Sequence, residues 1–101
     1  MYTVNTSFMV EPDIHAQWLE MVSNRYIPLL RTQGFDKILF SRILSIEPTE
    51  HFTYSLQINI QDLQEYKKLT EEILAEYAAI ASDMFGNKAL YFTSLLKHIE
   101  I

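Results

Sequence analysis

The residues able to do chemistry are few: three histidines, one tryptophan, six tyrosines and no cysteine in 101 residues. The lack of cysteine excludes disulfides, thiol nucleophiles and thiolate metal ligands. His15, His51 and His98 stand at no spacing that coordination uses, so no metal site is expected. His15 lies one turn before Leu19 near the start of a helix, where the dipole disfavours a protonated ring; it suits a cap or a pocket mouth better than a catalytic base. His51 and His98 are expected to be exposed. Trp18 falls on the apolar face of the same helix, as core or cavity wall. Arg42 shares strand parity with Phe40 and Leu44, so it either reaches out from a strand edge or enters a cavity as an anion partner. With Asn5, Ser7, Ser55 and Gln57 on strands and Tyr26 on the first helix, these residues make up the candidate ligand-binding set Asn5, Ser7, His15, Trp18, Tyr26, Arg42, Ser55 and Gln57. No catalytic or nucleotide signature accompanies them, and no cofactor is implied.

The elements that must position this set read in the order strand, helix, two strands in hairpin order, helix, strand. Tyr2 to Val10 alternates, with Tyr2, Val4, Phe8 and Val10 on one face and Thr3, Asn5, Ser7 and Met9 on the other. Glu11-Pro12-Asp13 ends that strand and opens a helix whose apolar positions Ile14, Trp18, Met21, Val22, Leu29 and Leu30 lead to a stop at Gly34. Pro28 lacks a backbone donor and crowds the Asn24 carbonyl, which predicts a kink or restart between Arg25 and Pro28. Asp36 to Ile46 and His51 to Ile60 are expected to pair across a Glu47-Pro48-Thr49-Glu50 turn. Asp62 with Glu65 resembles a capping box for a second helix, which runs to Phe85-Gly86. Its acidic run, Asp62, Glu65, Glu71, Glu72, Glu76 and Asp83, is a solvated face, and Ala89 to Ile99 is the last strand.

This order specifies a single ferredoxin-like βαββαβ domain over residues 1–101, an α+β fold with a four-stranded antiparallel sheet in order 4-1-3-2 and both helices on one face. The composition, 49% apolar and 21% charged, suits one small globular domain. A net charge of -5 without a basic stripe argues against nucleic-acid binding. No signal-peptide pattern opens the chain and no long apolar run spans a membrane, so a cytoplasmic protein with no membrane partner is expected. Both edge strands are apolar on both faces: Ile38, Phe40, Leu44 and Ile46 oppose Leu39 and Ile43, while Leu90, Phe92 and Leu96 oppose Tyr91, Leu95 and Ile99. The helices cover one face only, so a second copy packed sheet against sheet is the economical cover for the other. The expected dimer interface includes Leu39, Ile43 and Leu95, and it encloses a polar strip of Asn5, Ser7, Ser55 and Gln57.

Ile14-His15, Trp18-Leu19, Ile27-Pro28, Gly34-Phe35, Arg42, Tyr54-Ser55-Leu56-Gln57 and Phe85-Gly86 with Lys88 together resemble a bacterial domain-of-unknown-function family in the dimeric α+β barrel superfamily. The resemblance implies a homodimer with paired sheets and a cavity between sheet and helices. It does not fix an activity, since that superfamily includes cofactor-independent monooxygenases, haem-degrading enzymes and lactone isomerases. Tyr26 stands where the family often has His, and Thr93 where it often has Arg, which puts in doubt any acid-base or anion role at those positions. Asn5 resembles the first-strand Asn of haem-degrading relatives, but the second helix holds no histidine and Trp18 lies on the first, so the haem-degrading pattern is not matched.

Three readings follow. The first is a homodimer that binds a small molecule in a cavity between sheet and helices. The second is a cofactor-independent monooxygenase or isomerase-like enzyme, with its substrate against Asn5, Gln57 and Tyr26 and with His15 or Tyr26 moving the proton. The third is a structural or partner-binding module.

Overall fold

The computed structural model describes residues 1–44 and 50–101. Four antiparallel strands, β1 (Tyr2–Val10), β2 (Ile38–Ile43), β3 (Phe52–Ile60) and β4 (Ala89–Lys97), form one sheet in the order β2-β3-β1-β4. Read from the other edge this is the expected 4-1-3-2. Residues directly opposite one another share a face, so the register sorts every strand side chain. Val4, Phe8 and Val10 align with Ile58, Tyr54 and Phe52, while Asn5 and Ser7 align with Gln57 and Ser55 on the reverse. The first group meets the helices. Val4, Phe8, Val10, Leu56, Ile58 and Ile60 are buried there against Trp18, Val22, Leu30, Leu69, Tyr77 and Phe85.

β1 has the expected bounds, and the other three strands are shorter than the sequence suggests. β2 begins at Ile38 and β4 ends at Lys97, although the His98 N–H still donates to the Met1 carbonyl at 3.1 Å. Ile46 and the expected turn residues Glu47, Pro48 and Thr49 lie outside the described residues.

The first helical segment opens with a 3-10 turn at Pro12–Ile14, continues as α1 (His15–Met21), widens into a π turn at Val22–Tyr26 and ends as α2 (Ile27–Thr32). Pro28 has no N–H to give, and its ring would press on the carbonyl one α turn earlier. The π turn sits in the turn before it, with the Ile27 N–H donating five residues back to the Val22 carbonyl. The helix therefore adapts around the proline without stopping. Gly34, at φ 95, ends it: its N–H reaches the Arg31 carbonyl and the Phe35 N–H reaches the Leu30 carbonyl, a Schellman closure that needs a positive φ.

The second helical segment follows the same plan, with α3 (Leu63–Lys68), a π turn at Leu69–Ile73 and α4 (Leu74–Phe85). Here there is no proline. The Thr70 hydroxyl donates to the Tyr66 carbonyl at 2.9 Å, competing for the oxygen that an α turn assigns to a backbone N–H. The expected cap is present: the Asp62 side chain accepts from the Glu65 N–H at 2.9 Å, and Glu65 Oε2 accepts from the Gln61 N–H at 2.6 Å. An exposed Lys88–Asp13 ion pair ties the start of β4 to the 3-10 turn and holds the Asp13 carboxyl below its usual range.

Candidate functional site

Helix spacing brings Trp18, Val22 and Tyr26 onto one side of the first segment, facing the sheet, and all three are buried. Trp18 Nε1 donates to the Tyr77 hydroxyl at 2.9 Å, and the Tyr77 ring packs edge-on to Phe8 and 4.9 Å from Tyr26. Burial pushes the Tyr77 phenol up to about 12 and the Tyr26 phenol higher still, with Tyr77 and Tyr91 nearby adding to the Tyr26 shift. Both hydroxyls stay protonated at neutral pH. Trp18 and Tyr26 are thus parts of a tightly packed aromatic core.

Towards the start of α1 the same face becomes half-buried and polar. His15 Nε2 is 2.7 Å from the Tyr54 hydroxyl, and its ring stacks on Phe52 with centroids 3.8 Å apart and planes 7° from parallel. Strand pairing sets Arg42 opposite Tyr54, which assigns Arg42 to the helix side of the sheet, and its guanidinium carbon lies 4.6 Å from the centre of the Phe52 ring. Among the described residues the only ion pair is Lys88–Asp13, so no described carboxylate neutralises Arg42. Burial lowers the His15 pKa, with Arg42 adding to the shift, so the imidazole is neutral near pH 7. A neutral ring, a mostly buried phenol and a fixed cation therefore meet at one rim of the domain.

The other four candidates lie across the sheet. Ser55 Oγ donates to Asn5 Oδ1 at 2.6 Å and Asn5 Nδ2 donates to Ser7 Oγ at 3.3 Å, a chain of polar groups along the centre of the open face. Beside it, Thr3 Oγ1 donates to Asn59 Oδ1 at 2.8 Å and lies 2.7 Å from His98 Nε2. Gln57 lines a hollow of about 320 Å³ at the β2 edge, with Lys37, Leu39 and Asn59. Met9, Leu39, Ile43, Leu90, Phe92 and Leu96 surround this strip with their apolar side chains exposed, Leu39 at 60% and Phe92 at 58%. Leu95 does not belong to them. It pairs with Val4, whose side chain points into the core, so it lies on the helix side of β4.

Strand parity therefore divides the candidate set. His15 and Arg42 meet at the rim, Trp18 and Tyr26 lie deeper on the same side, and Asn5, Ser7, Ser55 and Gln57 occupy the opposite face. A substrate cannot touch Asn5, Gln57 and Tyr26 together within one subunit, so the enzyme arrangement drawn from the sequence is not assembled. Thr93, which stands where the resembled family often has an arginine, faces the helix side, its hydroxyl 3.4 Å from that of Thr6. The residues that sequence reasoning missed are Tyr54 and Phe52. The available signal was the shared parity of Phe52, Tyr54 and the cross-strand Arg42. Among the described residues no group of three His, Asp or Glu side chains could hold a metal ion, and no helix is long and apolar enough to cross a membrane.

Solved structures share the fold at low identity. An ethyl tert-butyl ether degradation family protein from Bacillus halodurans is similar over 98% of this chain and 100% of its own, with a TM-score of 0.68 and 13% identity. A dimeric ferredoxin-like protein from an uncultured marine organism has a TM-score of 0.64 and 13% identity, over 100% of this chain and 98% of its own. A second such protein has a TM-score of 0.54 and 16% identity, over 99% of this chain and 97% of its own. These likenesses establish the ferredoxin-like fold. No protein of curated function matches the sequence. Residues 1–99 match the family described as domain of unknown function DUF4286, and the chain belongs to that family.

Proposed function

We propose that this protein is a homodimer joined through the open sheet face, with a small-molecule site in each subunit at the His15–Tyr54 rim. The single observation that carries the binding reading is the 2.7 Å contact between His15 Nε2 and the Tyr54 hydroxyl beside a cation that no described carboxylate pairs. Polar groups that converge on a half-buried aromatic surface are what orients a small ligand. The dimer rests on the apolar perimeter of the open face and gains support from the two similar structures described as dimeric. Three strands of nine residues and one of six, about 4.8 Å apart at about 3.3 Å per residue, cover roughly 500 Å² per copy. Two such faces bury on the order of 1,000 Å², the area that a biological interface should clear.

The packing of Trp18 and Tyr26 favours a second reading, a purely structural module, because it leaves those two side chains no exposed surface for a ligand. Native mass spectrometry of the protein as purified separates the two. The binding reading expects twice the 11.9 kDa of one chain together with a small added mass that collisional activation releases. A bare dimer, combined with a fragment screen by NMR that moves no signal from His15, Phe52 or Tyr54, would leave the structural module.

A further inference from the structure

The chemistry of the rim names a ligand class, an inference that rests on the binding reading above. Arg42 presents a planar fork of N–H donors opposite Tyr54 on the neighbouring strand, and no described carboxylate occupies it. Such a fork fits a flat carboxylate with two parallel hydrogen bonds. The Tyr54 hydroxyl can supply one more donor. In the Nε2–H tautomer the neutral His15 ring donates to the Tyr54 oxygen, which leaves the phenolic O–H to donate outward, whereas in the Nδ1–H tautomer the phenol donates to Nε2. The His15 tautomer thus sets the direction of the Tyr54 proton, and a carboxylate at the rim selects the first. The neighbours of these donors are aromatic: Phe52 and Phe40 are half-buried, and Phe40 stacks on Tyr54 with centroids 5.3 Å apart and planes 17° from parallel. A tetrahedral, doubly charged anion would need more donors than one arginine and one phenol offer.

We propose that the rim formed by His15, Arg42, Phe52 and Tyr54 binds a small aromatic or planar carboxylate. Arg42 anchors the carboxylate, Tyr54 donates to it, and the body of the ligand packs against the edges of Phe40 and Phe52, since His15 and the Arg42 guanidinium cover the Phe52 ring faces. The negative charge also changes the state of His15. Arg42 disfavours its protonation in the free protein, and an anion paired with Arg42 removes that effect, so binding raises the His15 pKa.

Titration of the labelled protein with benzoate, benzamide and inorganic phosphate, followed through the His15 ring signals, tests this. Saturable binding of benzoate is expected, with an upward shift of the His15 pKa at saturation. Arg42→Gln should weaken benzoate at least tenfold without changing the fold, since Arg42 is exposed. Tyr54→Phe keeps the ring stack and should weaken it several-fold. Benzamide or phosphate binding as tightly as benzoate, or an Arg42→Gln protein that binds benzoate unchanged, would overturn the carboxylate assignment and leave the rim standing as a binding site. Benzoate and benzamide both leaving His15, Phe52 and Tyr54 unperturbed would overturn the assignment and count against the rim itself.

Discussion

Residue by residue, the aromatic core depends on polar atoms as much as on area. Trp18 and Tyr77 share one buried hydrogen bond, and neither polar atom has water to fall back on. Replacing Trp18 by Phe leaves the Tyr77 hydroxyl unpaired and opens a small void; the expected loss is about 2–4 kcal/mol, measured by urea unfolding. Tyr77→Phe combined with Trp18→Phe should cost less than the sum of the two single changes, because both partners of the bond are then gone. His15 gives a pH signature. Its folded pKa lies below the unfolded value of 6.5, so the unfolded chain binds more protons as the solution acidifies. Its contribution to stability is present above pH 6.5 and is lost as pH falls through the folded pKa. Thermal unfolding between pH 7 and 5 should show this slope in the parent protein, reduced in His15→Gln. The face on which Trp18 lies was legible from helical spacing. The Tyr54 partnership was not, because Tyr54 reads as one more core position in the series Phe52, Tyr54, Leu56, and its partner is 39 residues away.

Each helical segment carries one π turn, and the two differ in how visible they were beforehand. Pro28 announces the first, since a missing donor and a ring clash are properties of the residue itself. The second, at Leu69–Ile73, is marked only by Thr70, a residue that most helices accommodate without widening. Ends were easier to read than interiors. Asp62 with Glu65, and Gly34 before Phe35, are local chemistry that tertiary context seldom overrides. Asp62→Ala should therefore destabilise the protein by about 1 kcal/mol. Gly34→Ala should cost about 1–2 kcal/mol from backbone strain alone, because a Cβ at φ 95 meets nothing within 4 Å. Chemical denaturation of both variants checks the pair. A Gly34→Ala protein as stable as the parent would mean that the turn relaxes to negative φ and the Schellman closure is dispensable.

At the scale of the whole molecule, the sheet separates two surfaces by parity, and this decides what each can do. The topology and the two-faced edge strands were legible because alternation has a period of two and survives any context. Which apolar set of β4 faces outward was not, since Leu90, Phe92 and Leu96 look no more exposed in the sequence than Tyr91 and Leu95. Pairing with β1 settles it: Phe92 stands opposite Ser7 on the open face, and Leu95 opposite Val4 on the helix side. The proposed dimer therefore makes an asymmetric prediction about two positions only three residues apart. Phe92→Asp places an unpaired carboxylate in the sheet-to-sheet interface, a penalty of several kcal/mol, so the dissociation constant should rise on the order of 100-fold or more. Light scattering at micromolar concentration would then read the mass of a single chain. Leu95→Asp adds the same charge to the same strand but on the side away from the partner, and it should leave the dimer intact while lowering monomer stability. Equal weakening by both changes would mean that association follows the net charge of β4 and not its outward face, and the sheet-to-sheet arrangement would have to be abandoned.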